Sequence, residues 1–275
     1  MIQNGRGRVV GRMGFGLLRS IGQNWLEKQM PSNVEGYVPE SAMVVVAHPD
    51  DAEFMVAGTV AKWARAGTEV TYVVVTKGDK GSEDPEMTPQ RLTEIREAEQ
   101  RAAGAILGVR NFEFMGYEDG YLEHTLKLRR DITRLVRQYR PEVVMCFDPT
   151  NRFFNDYYAN HPDHRASGDA TVDAVFPSAR DRLTFPELLT EGLEPHKVKQ
   201  LWMGSTQNAN VWVDIGDVLA EKRAALLAHP SQLDEGAAEF VVTLARWAAE
   251  GQDFEYAESF RRILFDEPRM VPDRE

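Results

Sequence analysis

The sequence predicts an α/β fold: a Rossmann-like open, mostly parallel sheet with helices on both faces. Three observations lead there. Short β-branched runs such as Val44–Val46, Glu69–Thr76 and Glu142–Phe147 alternate with longer helical stretches, the signature of right-handed β-α-β units. The runs are almost continuously apolar, as strands are when helices cover both faces of a sheet. The 275 residues are enough for one large α/β domain with a substantial core.

Residues 1–40 read as an N-terminal helical extension and linker ahead of the α/β domain at 41–275. Phe15, Leu18, Ile21 and Trp25 recur at helical spacing, with Leu17 and Leu26 beside them, so an N-terminal amphipathic helix is expected there. Its apolar stripe suits packing on the domain or on a neighbouring subunit, and a homo-oligomer is expected. Pro31–Pro39 then serves as the linker.

Val44–Val46 is the first expected strand. A helix over Ala57–Ala66 follows and stops at Gly67, a natural residue for the left-handed position after a helix. Glu69–Thr76 is the second strand, and Lys77–Thr88 a polar loop. Pro89–Leu107, rich in Glu, Arg and Ala, is a long helix ended by Gly108. Asn111–Met115 is a third strand. Leu126–Tyr139 is a helix with Leu128, Ile132, Leu135 and Val136 on one face, and Pro141 parts it from the fourth strand, Glu142–Phe147.

Asp148–Asn160 is longer than connections in compact domains usually are, which points to a functional loop. Its Phe153, Phe154, Tyr157 and Tyr158 could wall a pocket. A helix is expected from His164 to Val175, strands at Val198–Met203 and Val211–Ile215, and C-terminal helices at Val218–Ala228, Leu233–Glu250 and Tyr256–Leu264. Residues Glu267–Glu275 read as a frayed end.

Composition narrows the functional classes. Lys and Arg number 32 against 43 Asp and Glu, a formal charge of −11. That balance argues against nucleic acid as a partner. The one cysteine, Cys146, permits no intrachain disulfide and sits in an apolar run; with no secretory signal expected either, a reducing, cytoplasmic setting is expected. No apolar run is long enough for a transmembrane segment.

The chemistry lies in two clusters. The first strand ends in Ala47-His48-Pro49-Asp50-Asp51-Ala52-Glu53, and the loop after the fourth strand carries His161-Pro162-Asp163-His164. In an open sheet of order 3-2-1-4, strands one and four are neighbours, and their C-terminal ends flank the switch point where such folds place ligands. Topology therefore brings the clusters together. Two histidines and a carboxylate with a position left open make a catalytic zinc site, and a second carboxylate beside them can take a proton from water. The adjacent Asp50 and Asp51 supply one residue for each task. Read alone, the first cluster could equally be a helix cap or an Asx turn. His124, His196 and His229 have no comparable carboxylate cluster in the sequence and read as surface or capping residues.

The motif A-H-P-D-D-x-E at Ala47–Glu53 and H-P-D-H at His161–His164 resemble the two signatures of the PIG-L/LmbE-like zinc-dependent de-N-acetylases. Weaker similarities accompany them: Arg96-Glu97 in the long helix, Met115–Gly120 (M-G-Y-E-D-G), Val211–Ile215 and His229–Gln232. The resemblance runs from about Met43 to Gln232. It implies that His48, Asp51 and His164 bind Zn2+, with Fe2+ or another divalent metal as alternatives, and that Asp50 is the general base. It further implies that His161 stabilises the oxyanion and helps protonate the amine, that Asp163 hydrogen-bonds His161 and keeps it cationic, and that Arg96 supports Asp163 or contacts substrate. The implied reaction removes an N-acetyl or other N-acyl group from a small-molecule amino sugar or glycoconjugate. Two other readings stay open. His48-Pro49-Asp50 with a distant histidine also spells the H-x-D…H triad of non-haem Fe(II) oxygenases, although the β/α alternation is not the all-β scaffold such enzymes usually have. A non-catalytic sugar- or metal-binding module is the other. A dinucleotide fold fails because the first turn lacks G-x-G-x-x-G.

Overall fold

The computed structural model describes Val34, residues 36–154, Asp156 and residues 158–265. The expected N-terminal helix, the subunit contact it was to make, Tyr157 and the tail 267–275 lie outside the described residues.

The chain enters β1 (Ser41–Val46), turns through two short helices, α1 (Asp51–Met55) and α2 (Ala57–Arg65), and returns along β2 (Glu69–Thr76). Helix α3 (Pro89–Leu107) starts where Thr88 Oγ1 accepts the Arg91 N–H at 3.2 Å, with Pro89 in the first turn, and stops at Gly108 with φ 84°. Both ends follow from residue chemistry: the hydroxyl satisfies an orphan N–H, and glycine enters the left-handed region freely. β3 (Asn111–Tyr117), α4 (Leu126–Tyr139) and β4 (Val143–Phe147) follow. The long loop folds into a two-stranded antiparallel hairpin, β5 (Phe153–Phe154) with β6 (Tyr158–Ala159), before α5 (Pro162–Asp173). After the short α6 (Glu187–Thr190) come β7 (Gln200–Gly204), β8 (Val211–Asp214), α7 (Leu219–Leu226), α8 (Glu235–Ala248) and β9 (Ala257–Leu264).

The main sheet has the order β3-β2-β1-β4-β7-β9-β8. Its first five members are parallel, and β9 runs antiparallel between β7 and β8. The expected 3-2-1-4 order is present, and β1 lies against β4 with Val44 opposite Met145. Alternate residues face opposite sides. Val44, Val46, Tyr72, Met145 and Trp202 pack with α2, α3 and α7, while Met43, Val45, Val144 and Cys146 pack with α4 and α5. Leu128 and Ile132 of α4 are fully buried, each contributing about 1.5–3 kcal/mol of transfer free energy. Among the described residues no helix is long and apolar enough to cross a membrane.

One expected element is corrected. Tyr256–Leu264 does not form a helix; Ala257–Leu264 is strand β9. Tyr256, Phe260 and Leu264 recur every four residues, which imitates a helix. In the strand, Glu258, Phe260 and Arg262 alternate with Ser259, Arg261 and Ile263, and the burial of charged Glu258 and Arg262 disguises the period of two.

Helix α5 lies unusually close to β4. A Cβ on Gly168 would stand 2.7 Å from the Phe147 carbonyl oxygen, so glycine is required for this approach. The contact sets the height of the helix that carries the second histidine cluster.

Candidate metal centre and active site

β1 and β4 deliver the two clusters to one edge of the sheet. His48 stands just past β1, Asp51 opens α1, and His161 caps α5 through a backbone N–H of Asp163 on its Nδ1 (3.2 Å). Phe147, the last residue of β4, stacks its ring on His164 with centroids 4.1 Å apart. These placements make the clusters meet. His48 Nδ1 is 3.3 Å from Asp51 Oδ2, and His164 Nε2 is 3.0 Å from Asp51 Oδ1. The other nitrogen of His48, Nε2, faces two more carboxylates, Asp119 Oδ1 at 3.2 Å and Asp163 Oδ2 at 3.3 Å. Potential ligand atoms of His48, His161 and His164 lie within 4.8 Å of one another, and so do those of His48, Asp119 and Asp163.

The donor set suits a divalent cation of the zinc type. Imidazole nitrogens and a carboxylate converge, and a carboxylate behind the ligand histidine is the usual support for such a site. The electrostatics agree. Burial opposes a charge on His48, but Asp51, Asp119 and Asp163 outweigh it and push the imidazole up to about 12. Burial likewise opposes the Asp51 anion, and His164 and His48 more than reverse that, holding its carboxyl far below the usual range. Three carboxylates crowd one ring, and positive charge is what relieves them.

Asp50 stands apart from this group. Burial first, and then the charge of Asp51, push its carboxyl up to about 7 against the pull of Arg96. Its backbone is left-handed, φ 96° and ψ −26°, which is rare outside glycine. Arg96 Nη2 donates to Asp50 Oδ2 (3.0 Å) and to the Pro49 carbonyl (2.6 Å), and Nη1 donates to the Gly78 carbonyl (2.9 Å). Arg96 is 5% exposed. It braces Asp50 rather than Asp163, and its buried guanidinium is engaged with these protein oxygens.

Asp163 also differs from expectation. Its carboxylate accepts from Gly120 N (2.7 Å) and Leu122 N (3.2 Å) and faces His48. His161 instead offers Nδ1 to the Asp163 N–H. Burial and the neighbouring His48 and His164 hold the His161 pKa below its ordinary value despite Asp163. With Nδ1 accepting, its proton sits on Nε2.

Several site residues escape sequence reasoning. Asp119 sits in a turn, E-D-G, that gives no sign of reaching β1. Asn160 Oδ1 is 3.2 Å from His164 Nδ1. Beneath Asp50 lies a fully buried polar cluster: Gln100, Glu53 and His229, whose Nε2 is 3.3 Å from Glu53 Oε2. His229 is therefore neither a surface nor a capping residue. The only sequence signals were the final Glu of the first motif and the His-Pro-Ser-Gln stretch.

Known proteins resemble this chain in sequence and fold. Residues 43–175 match the family described as PIG-L: GlcNAc-PI de-N-acetylase. The chain is 30% identical over 228 residues to diacetylchitobiose deacetylase of Thermococcus kodakarensis, covering 82% of this chain and 83% of that one. It is 37% identical over 195 residues to a probable N-acetyl-alpha-D-glucosaminyl L-malate deacetylase 2 of Bacillus anthracis, covering 69% of this chain and 80% of the other. Its structure resembles N,N'-diacetylchitobiose deacetylase from Pyrococcus horikoshii with TM-score 0.80 at 26% identity, over 94% of this chain and 97% of that one.

Proposed function

Because this chain belongs to the PIG-L (GlcNAc-PI de-N-acetylase) family, we propose that it is a metal-dependent N-deacetylase. It hydrolyses the acetamide of a small N-acetylated amino sugar or glycoconjugate and releases acetate and a free amine. The observation that carries the reading is geometric: Asp51 faces the imidazoles of His48 and His164, while the adjacent Asp50 is turned away from them and held by Arg96 at 3.0 Å. The relatives' names give the substrate class, N-acetylated sugars in each case. The oxygenase and binding-module readings find no support among them.

His48, Asp51 and His164 would hold the cation, and the imidazole-rich donor set favours Zn2+. When bound, such an ion supplies Lewis-acid polarisation of the amide carbonyl and of water. Asp50 takes a proton from the attacking water as the new C–O bond forms. A positioned carboxylate serves as base and, once protonated, as acid. His161, whose Nδ1 accepts from the Asp163 N–H, donates its Nε2–H to the oxyanion. As the C–N bond breaks, the departing nitrogen receives the proton that Asp50 removed, and the carboxylate is regenerated. Asp163 and Asp119 hold the ring of His48 from behind. The unbridged Cys146 supports a cytoplasmic setting.

The test is acetate release from N-acetylglucosamine and N,N'-diacetylchitobiose by the zinc-loaded wild type and Asp50→Asn. The variant is expected to lose about 10²–10⁴-fold in kcat while keeping its metal. Equal rates in the two proteins would remove Asp50 as the base.

A further inference from the structure

We propose that Gln100 is a positioning residue for the reaction, and that the last acid of the first motif, Glu53, works by orienting it. Asp50 holds a backbone conformation that non-glycine residues avoid, φ 96°. Such a conformation persists only where the surroundings over-determine it, and it is most often found at functional sites. Here the surroundings can be named. Gln100 Oε1 accepts the Asp50 N–H at 2.9 Å. Gln100 Nε2 donates to both oxygens of Glu53, at 3.0 and 3.1 Å.

The orientation of the Gln100 amide follows from chemistry. An ionised carboxylate only accepts, so the NH2 end must face Glu53. The carbonyl end then has to face Asp50, where an N–H requires an acceptor. Glu53 and Gln100 are both 0% exposed, so water cannot substitute for either partner. Lys222 Nζ donates to the Glu53 and Phe54 carbonyls at 3.0 Å each, which fixes the helix turn from which Glu53 projects.

Helix α3 applies two restraints to one residue. Arg96 and Gln100 are four apart, so they share a face. Arg96 grips the side chain of Asp50 and the Pro49 carbonyl, and Gln100 grips the backbone N–H. Together they define where the Asp50 carboxylate points relative to Asp51. If the N–H restraint is lost, the backbone is free to relax to negative φ, and the carboxylate swings out of line with the water it deprotonates. This assignment rests on the proposed role of Asp50 as base, and it adds the reason why a glutamine and a glutamate with no contact to substrate belong to the machinery.

The test pairs crystallography with kinetics. Gln100→Met keeps the volume and removes both hydrogen bonds. Its crystal structure is expected to show Asp50 at negative φ, and its kcat for acetate release is expected to fall about 10²-fold with KM changed less than about threefold. In an Asp50→Asn background the same substitution is expected to change kcat less than about threefold, because there is no base left to position. Should Gln100→Met not fold, Glu53→Met/Gln100→Met removes both partners of the buried bond and serves in its place. Asp50 remaining at φ near 96° without Gln100, or an equal kcat loss with and without Asp50, overturns the proposal. If the wild type releases no acetate, the assigned reaction falls, and the crystallographic result still decides whether Gln100 sets the Asp50 backbone.

Discussion

Two buried clusters of charged side chains are built on opposite plans. At the sheet edge, Asp51, Asp119 and Asp163 face one imidazole, His48, with His161 and His164 alongside. Under it, Glu258 accepts from Gly58 N (2.8 Å), from Thr59 N (2.7 Å) and Oγ1 (2.6 Å), and from Lys222 Nζ (2.6 Å). The inner cluster matches each charge with an opposite charge or a backbone group. The edge cluster leaves negative charge in excess. Residue type alone does not separate a structural cluster from a reactive one. What separates them is whether the charges are balanced by the protein or need something from outside.

That contrast can be broken at either end. The largest expected effect is at His48, the residue shared by both groups of converging ligand atoms. His48→Ala should abolish stoichiometric metal binding, with affinity down more than about 100-fold, since even supporting residues are worth about 10–100-fold. Elemental analysis of the purified protein reads it, and a full metal complement would show that the cluster binds through other residues. Next is Lys222→Met. It leaves Glu258 buried without its cation and should cost about 3–5 kcal/mol in urea unfolding, while metal content per folded molecule stays unchanged. A loss of metal without a loss of stability would reverse the two roles. The smallest effect is expected at Asp119→Asn. The carbonyl can still accept from His48, but the charge is gone, and metal affinity should fall about tenfold in a competition titration with a chelator. No change would mean that Asp163 alone supports His48.

Much of this was legible in the sequence, for a physical reason. Strands covered on both faces are apolar throughout, so β1, β2 and β4 stand out, and the common 3-2-1-4 order of open sheets is the one present. The two metal motifs lie directly at strand ends, so topology places them. What was not legible depends on side chains that cross between elements. Asp119 reaches His48 only because the loop after β3 folds over β1. Gln100 sits in a helix crowded with Glu and Arg, where one more polar residue carries no signal. Glu258 and Lys222 satisfy each other 36 positions apart, and their burial hid β9 as a strand. Arg96 and Asp163 lie beside the two motifs, but their partners depended on distances of an ångström or two that spacing does not resolve.

Asp163 joins three pieces of chain through one carboxylate: the helix it belongs to, the imidazole of His48, and the amides of Gly120 and Leu122. The segment around Tyr121 is thus fastened to the same cluster of imidazoles and carboxylates. Any ligand that draws on His48 also changes the charge felt by those two amides. Their solvent exchange rates are therefore a gauge, readable without substrate or turnover, of whether the centre is loaded.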